Sequence, residues 1–214
     1  MSDAEPAEQF DDLDQQKHAN LMGMWLFLAT ELLLFGGLFA SFGVFRIMHP
    51  ETFGEAASHL SVSLGVANTV ILFTSGLTTK LADEAVEAGR RGLGLALLLG
   101  TIALGLAFLV IKGFEWHHEY EIGLMPVLGL PFEYPGADPR NARLFFNFYY
   151  AMTGLHAAHM LIGLGLLSII ALLLYRWRDP PKIARQVRIS GLYWAFVDVI
   201  WVFVFTFLYL LRSG

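Results

Sequence analysis

Leu93 to Phe114 reads LGLALLLGTIALGLAFLVIKGF, an apolar run whose one charged residue, Lys112, lies near its end. A helix needs roughly 17 to 25 such residues to cross a bilayer, and this run is long enough. It lacks the period-two alternation of a membrane-barrel strand, so it reads as a transmembrane helix. Four more runs follow the same reading: Leu21 to Phe45, Leu60 to Leu81, Leu144 to Tyr175 and Ser190 to Leu211. The second carries Ser61, Ser63, Asn68, Thr69, Thr74, Ser75, Thr78 and Thr79, so it suits a helix packed within protein, where hydroxyls bond to backbone or to neighbouring helices. The fourth is too long to stand upright and is expected to tilt or protrude. The fold expected is all-α, a five-helix membrane bundle.

Composition agrees. Of 214 residues 56% are hydrophobic and 15% charged, with no cysteine. A soluble domain carries about a quarter charged residues. The missing cysteines exclude a disulfide scaffold, cysteine-ligated zinc or iron–sulfur, and a thiol nucleophile. A net charge of −5 with no basic tract argues against nucleic acid as a partner. Residues 1–17 hold Asp3, Glu5, Glu8, Asp11, Asp12 and Asp14 against Lys17. They read as an acidic disordered tail, not a secretory signal, followed by a single membrane domain over 18–214.

Basic residues set the expected orientation. One side would hold nine, Lys17, Lys80, Arg90, Arg91, Arg176, Arg178, Lys182, Arg185 and Arg188, and the other five, Arg46, Lys112, Arg140, Arg143 and Arg212. The positive-inside rule then places the N-terminus inside and the C-terminus outside. The outer segment from His117 to Asn141 contains Pro126, Pro131, Pro135 and Pro139, and reads as a stiff irregular cover. The pairs Gly36 with Ala40, Gly37 with Ser41, Ala103 with Ala107, and Gly154 with Ala158 have the spacing that lets helices approach closely in lipid.

Few residues inside the spans carry chemistry. Glu31 lies roughly 15 Å into the first helix, where an ionised carboxylate is costly and must face protein or water. It suits either a proton or ligand route or a neutral acid bonded to another helix. Asp198 lies roughly 12 Å into the last helix and suits a bond to another helix or subunit. Trp25, Trp194 and Trp201 suit lipid-proximal or packing roles. His156 and His159 share a helix face. They read as buried, hydrogen-bonded histidines, or as two metal ligands if Glu31 joins them. Glu115, His117, His118, Glu119 and Glu121 read as a solvated rim. No complete catalytic centre and no metal site emerges. An independent transporter using Glu31 and Asp198, or a di-histidine metal protein, remains open at this point.

Three segments together carry a resemblance: GMWLFLATELLLFGGLFASF (Gly23 to Phe42), FFNFYYAMTGLHAAHMLIG (Phe145 to Gly163) and YWAFVDVIWVFVFTFLYLL (Tyr193 to Leu211). They resemble subunit III of the haem–copper oxidases, in its five-helix form. The accessory third subunit of a nitric oxide reductase has similar motifs. The resemblance implies a non-catalytic subunit of a terminal oxidase that reduces dioxygen to water and conserves proton-motive force. It implies no cofactor on this chain, with haem and copper held in partner subunits I and II. It further implies bound phospholipid in a cleft, a stabilising role toward subunit I, a bacterial plasma-membrane location, and room for a larger respiratory supercomplex. Glu31 falls on the family's buried glutamate. Glu115, His156, His159 and Asp198 fall on its other polar motif positions, and Ala195 stands where many members have histidine.

Overall fold

The computed structural model describes residues 13–127, 130–176 and 180–211. Among these, six α-helices occur: α1 (Leu13–Met48), α2 (Pro50–Ser58), α3 (Val62–Glu87), α4 (Arg91–Glu121), α5 (Pro139–Arg176) and α6 (Pro180–Phe205), with a π-turn over Thr206–Leu210. Five stretches are long and apolar enough to cross a membrane: Met22–Met48, Val62–Glu87, Arg91–Glu121, Pro139–Arg176 and Ile183–Leu210. These are the five spans expected. The acidic tail, as far as residue 12, lies outside the described residues, and the described part of α1 runs from Leu13.

α3 packs on α4 and α6, and α5 packs on α4 and α6, which closes a four-helix body. α1 lies against α5 and α6 at the edge of that body. Its buried residues Leu28, Phe35 and Phe42 form one stripe, while Met22, Leu26, Leu33, Val44 and Ile47 are exposed. Seven residues are two helical turns, so only one narrow face of α1 meets protein.

The connections follow local chemistry. Gly89 (φ +73°) and Gly123 (φ +75°) end α3 and α4 in the left-handed region. At each, the glycine N–H bonds three residues back and the next N–H five back: Gly89 to Val86 and Arg90 to Ala85, then Gly123 to Tyr120 and Leu124 to Glu119. This pairing supplies otherwise unbonded terminal carbonyls with donors. Arg91 caps the far end of α5, donating from Nε to the Leu174 carbonyl (3.1 Å) and from Nη2 to that of Tyr175.

One element departs from the expected five helices. PETFGEAAS forms α2, a short helix begun by Pro50 with Glu51 in its first turn, both favourable at a helix start. Its Phe53 ring sits 5.5 Å from Phe42 and 5.5 Å from Phe145, which pins α2 across the end of the bundle. The proline-rich cover is irregular as expected, though shorter, because α4 runs on to Glu121 and α5 starts at Pro139.

The small-residue pairs quoted from the sequence are not where the helices meet. A Cβ on Gly36 or Gly37 would enter open space, and one on Gly154 would reach only Trp116 at 4.0 Å. The close approaches are elsewhere. A Cβ on Gly105 would lie 2.9 Å from Trp194 Cη2, and one on Gly163 would lie 2.9 Å from Trp194 Cε3. The Trp194 indole is therefore wedged between α4 and α5, and its Nε1 donates to Ser75 Oγ of α3 at 3.0 Å. One side chain of α6 thus touches the other three helices of the body.

Candidate functional site

The deep polar residues fall into three groups. The first was not anticipated as a cluster. α4 turns Lys112, Glu115 and Glu119 to the same side, at helical spacings of three and four, and all three are buried. Lys112 is 2% exposed. Its Nζ donates to Glu115 Oε2 at 2.9 Å, to Tyr149 Oη at 3.2 Å and to Tyr209 Oη. Tyr209 in turn donates to Glu115 Oε1 at 2.6 Å. The ammonium also lies 4.7 Å from the centre of the Tyr149 ring and 5.6 Å from that of Trp201, close enough for cation–π attraction. Tyr209 belongs to the π-turn Thr206–Leu210, whose wider turn changes the register of the side chains that follow it.

This arrangement corrects the solvated rim in half. His117, His118 and Glu121 are exposed, but Glu115 and Glu119 are buried. The reason is that the helix continues, so its periodicity sorts neighbouring residues to opposite faces. Glu119 Oε2, Tyr150 Oη and Trp116 Nε1 close the group as buried atoms without a hydrogen-bond partner among the described residues.

The second group joins α1 to α5. Glu31 Oε2 lies 3.0 Å from His159 Nε2, and His159 Nδ1 lies 2.8 Å from the Leu155 carbonyl oxygen. A carbonyl only accepts, so Nδ1 carries a proton. Nε2 then either accepts from a protonated Glu31 or, as imidazolium, donates to its carboxylate. The pair is neutral in both forms, which limits its desolvation cost. Tyr193 Oη donates to the His159 carbonyl at 3.0 Å, tying α6 to the same place.

His156 stands beside this pair without joining it. It is buried with both ring nitrogens unpartnered among the described residues, 5.4 Å from Phe108 and 5.2 Å from Trp201. With Phe35, His159, Phe196, Val197 and Ile200 it lines a narrow void. Both nitrogens of His159 are committed to protein atoms. Among the described residues no three His, Cys, Asp or Glu side chains gather as a metal site would require.

The third group is the seam between α3 and α6. Trp201 Nε1 donates to Thr69 Oγ1 at 3.0 Å, and Trp194 bonds Ser75 as described. Between the two tryptophans, Asp198 sets its Oδ2 2.5 Å from where a Cβ on Gly76 would sit. Its Oδ1 is buried without a partner among the described residues. Trp194 and Trp201 are packing residues inside the bundle, whereas Trp25, 62% exposed on α1, faces outward.

The fold and these groups define an all-helical membrane bundle with five candidate spans, whose Lys112 cluster and Glu31–His159 pair tie its own helices together. Comparison with known proteins agrees. The family described as Cytochrome c oxidase subunit III matches residues 13–125 and 133–213. A "Cytochrome c oxidase subunit 3" from Alkalihalophilus pseudofirmus is 32% identical over 90% of this chain and 87% of its own length. A "Cytochrome bo(3) ubiquinol oxidase subunit 3" from Pseudomonas aeruginosa is 28% identical over 90% of this chain and 85% of its own. In Aeropyrum pernix, a "Heme-copper oxidase subunit I+III" is 31% identical over 87% of this chain and 22% of its own. The chain belongs to the cytochrome c oxidase subunit III family, the third subunits of haem–copper respiratory oxidases.

Proposed function

We propose that the chain is the non-catalytic third subunit of a bacterial plasma-membrane oxidase that reduces dioxygen to water and conserves proton-motive force. In this reading it steadies subunit I through repeated turnover and holds phospholipid along α1. The observation that carries the proposal is the relative whose name joins subunits I and III in one polypeptide. A fused pair is held at one-to-one stoichiometry with its parts side by side, which suits permanent structural support.

The lipid assignment is supported by the shape of the edge. α1 leaves Trp25, Leu26, Leu33 and Ile47 exposed, and its polar tie to the body is the Glu31–His159 pair, beside the buried stripe of Leu28, Phe35 and Phe42. Acyl chains fit such a ridge, since apolar side chains there gain nothing from water. The orientation with the N-terminus inside rests on the nine-to-five split of basic residues and the positive-inside rule.

The test is removal of this chain from the purified oxidase. The haem absorption spectrum and the initial oxygen uptake are expected to stay, while activity decays faster during turnover and recovers on adding the chain back. Unchanged decay kinetics would contradict the stabilising role. Replacing Glu31 by alanine is expected to leave the haems in place and to speed inactivation, and loss of the haem spectrum in that intact complex would count against it.

A further inference from the structure

Glu31 and Asp198 are the two acids deep in apolar spans away from the lysine cluster, and they differ in one respect. Glu31 has a partner inside the chain. Asp198 Oδ1 is buried with none among the described residues. A carboxyl group in hydrocarbon without a donor is costly in either protonation state, so the natural assembly is expected to supply one.

The surroundings of Asp198 limit the source. It sits roughly 18 Å along its helix from Leu210, the nearer end of the span Ile183–Leu210, beyond the reach of lipid headgroups, and acyl chains carry no donor. α3 turns Thr78 and Thr79 to Thr101 of α4 and turns Thr69 and Gly76 to α6. At 100° per residue, Phe73 and Leu77 then form the outer flank of the same seam, and they are 61% and 60% exposed. On α6, Trp194 and Trp201 face α3, and Phe203, with Phe207 of the π-turn, lies against Phe39 of α1. Ala195 and Val199 fall between, exposed beside Asp198. The small, exposed Ala195 lets another helix come close. The seam is thus an apolar strip with the unmet Asp198 Oδ1 at its floor.

We infer that this α3–α6 seam is the surface on which subunit I docks, and that a transmembrane helix of subunit I brings a hydrogen-bond donor to Asp198. The inference rests on the proposed role as an oxidase third subunit. Subunit I is chosen because a relative carries it on the same chain as subunit III. The α1 ridge is left to lipid, because its own acid is already satisfied.

Photo-crosslinking in the whole membrane-embedded oxidase tests this, with a benzophenone-bearing residue placed singly at Phe73, Ala195 or Leu33. All three sites are exposed, so the probe does not disturb the core. Adducts to subunit I are expected from positions 73 and 195, and adducts to lipid from position 33. Adducts to subunit I from position 33 alone, adducts between two copies of this chain, or lipid adducts alone at the seam would overturn the assignment. If the unaltered chain does not co-purify with subunit I at all, the oxidase role itself fails, a separate result. A second measurement addresses the acid. Asp198→Leu is expected to lower the amount of this chain retained per subunit I in detergent by about tenfold, and Asp198→Asn by no more than about twofold, the range of a membrane-buried hydrogen bond. Equal retention of both variants would remove Asp198 from the interface. Should Asp198→Leu fail to insert, the crosslinking map still decides which face meets subunit I.

Discussion

Lys112 and Glu31 are both ionisable residues within membrane-spanning helices, and the structure treats them in opposite ways. Lys112 is enclosed by the four-helix body, held by Glu115, Tyr149 and Tyr209 and covered by aromatic rings. Glu31 sits on the edge helix with a single partner, His159, and both side chains keep some exposure. The difference teaches what each is for. The lysine cluster joins α4, α5 and the π-turn after α6 inside the body. The Glu31–His159 pair decides only where α1 rests, since the body closes without it.

The sharpest way to break this distinction is Lys112→Met. Removing the cation leaves Glu115 buried without its counter-charge, a change that costs about 3–5 kcal/mol. The expected outcome is loss of monodisperse folded chain in detergent, read by size exclusion and thermal unfolding. Adding Glu115→Gln to the same variant should recover most of the loss, because the orphan charge is then gone. A Lys112→Met chain as stable as the unaltered one would show that the cluster does not hold the body.

A smaller effect separates body from edge by volume. Gly163→Leu drives side-chain atoms into Trp194, whose ring already lies 2.9 Å from an added Cβ. Overpacking of this kind costs about 1–3 kcal/mol. Gly36→Leu and Gly37→Leu on α1 add the same bulk into open space and should leave the melting temperature of the isolated chain unchanged. Equal losses at all three positions would mean that α1 is packed as tightly as the body.

Smaller still is the edge tie itself. A double-mutant cycle with Glu31→Gln and His159→Gln should give a coupling of about 0.6–1.7 kcal/mol, the range for hydrogen bonds between membrane helices. Hydrogen exchange should rise in α1 and stay unchanged in α3 and α4. Exchange rising throughout the bundle would place Glu31 among the determinants of the body.

Much of this was legible in the sequence, and the misses have physical causes. The five spans follow from apolar length alone, and the three motif segments on α1, α5 and α6 carried the family. The sequence pattern lets Glu31 join both His156 and His159, and the structure brings it to His159. Lys112 counted as an outer basic residue, yet it is buried. Its spacing to Glu115 and Glu119, three and then four residues, was the available signal. Reading these as a rim ended the helix where hydropathy drops, but hydrogen bonding continues to Glu121. α2 escaped because PETFGEAAS is short and only weakly apolar, and it gains its order from Phe53 packing on two other elements. The glycine pairs misled because four-residue spacing is common in membrane helices. Which glycines matter was set by one indole, Trp194, from a distant part of the chain.

The least effect lies outside the membrane, where the cover meets α5. Asp138 precedes Pro139 and caps α5. It accepts from Asn141 Nδ2 at 2.7 Å, from the Asn141 backbone N–H at 3.2 Å and from Thr52 Oγ1 at 3.4 Å. These bonds, that from the Asn141 side chain foremost, hold the Asp138 carboxyl below its ordinary pKa. A lowered folded value favours the carboxylate. Its contribution to stability is therefore complete above the unfolded value of about 3.9 and fades as pH falls through the lower folded one. Asn141→Ala removes the side-chain donor but keeps the backbone one, so the Asp138 carboxyl should titrate part of the way back toward its ordinary value by NMR. The cap is half-buried at the end of the bundle, and the loss should be present at neutral pH, fade as pH falls through the folded value, and be confined to the first turn of α5, with the lysine cluster and the Glu31–His159 pair undisturbed. A titration curve identical to that of the unaltered chain would assign the shift to the backbone N–H and Thr52 and would leave the Asn141 side chain as a contact of the cover rather than part of the cap.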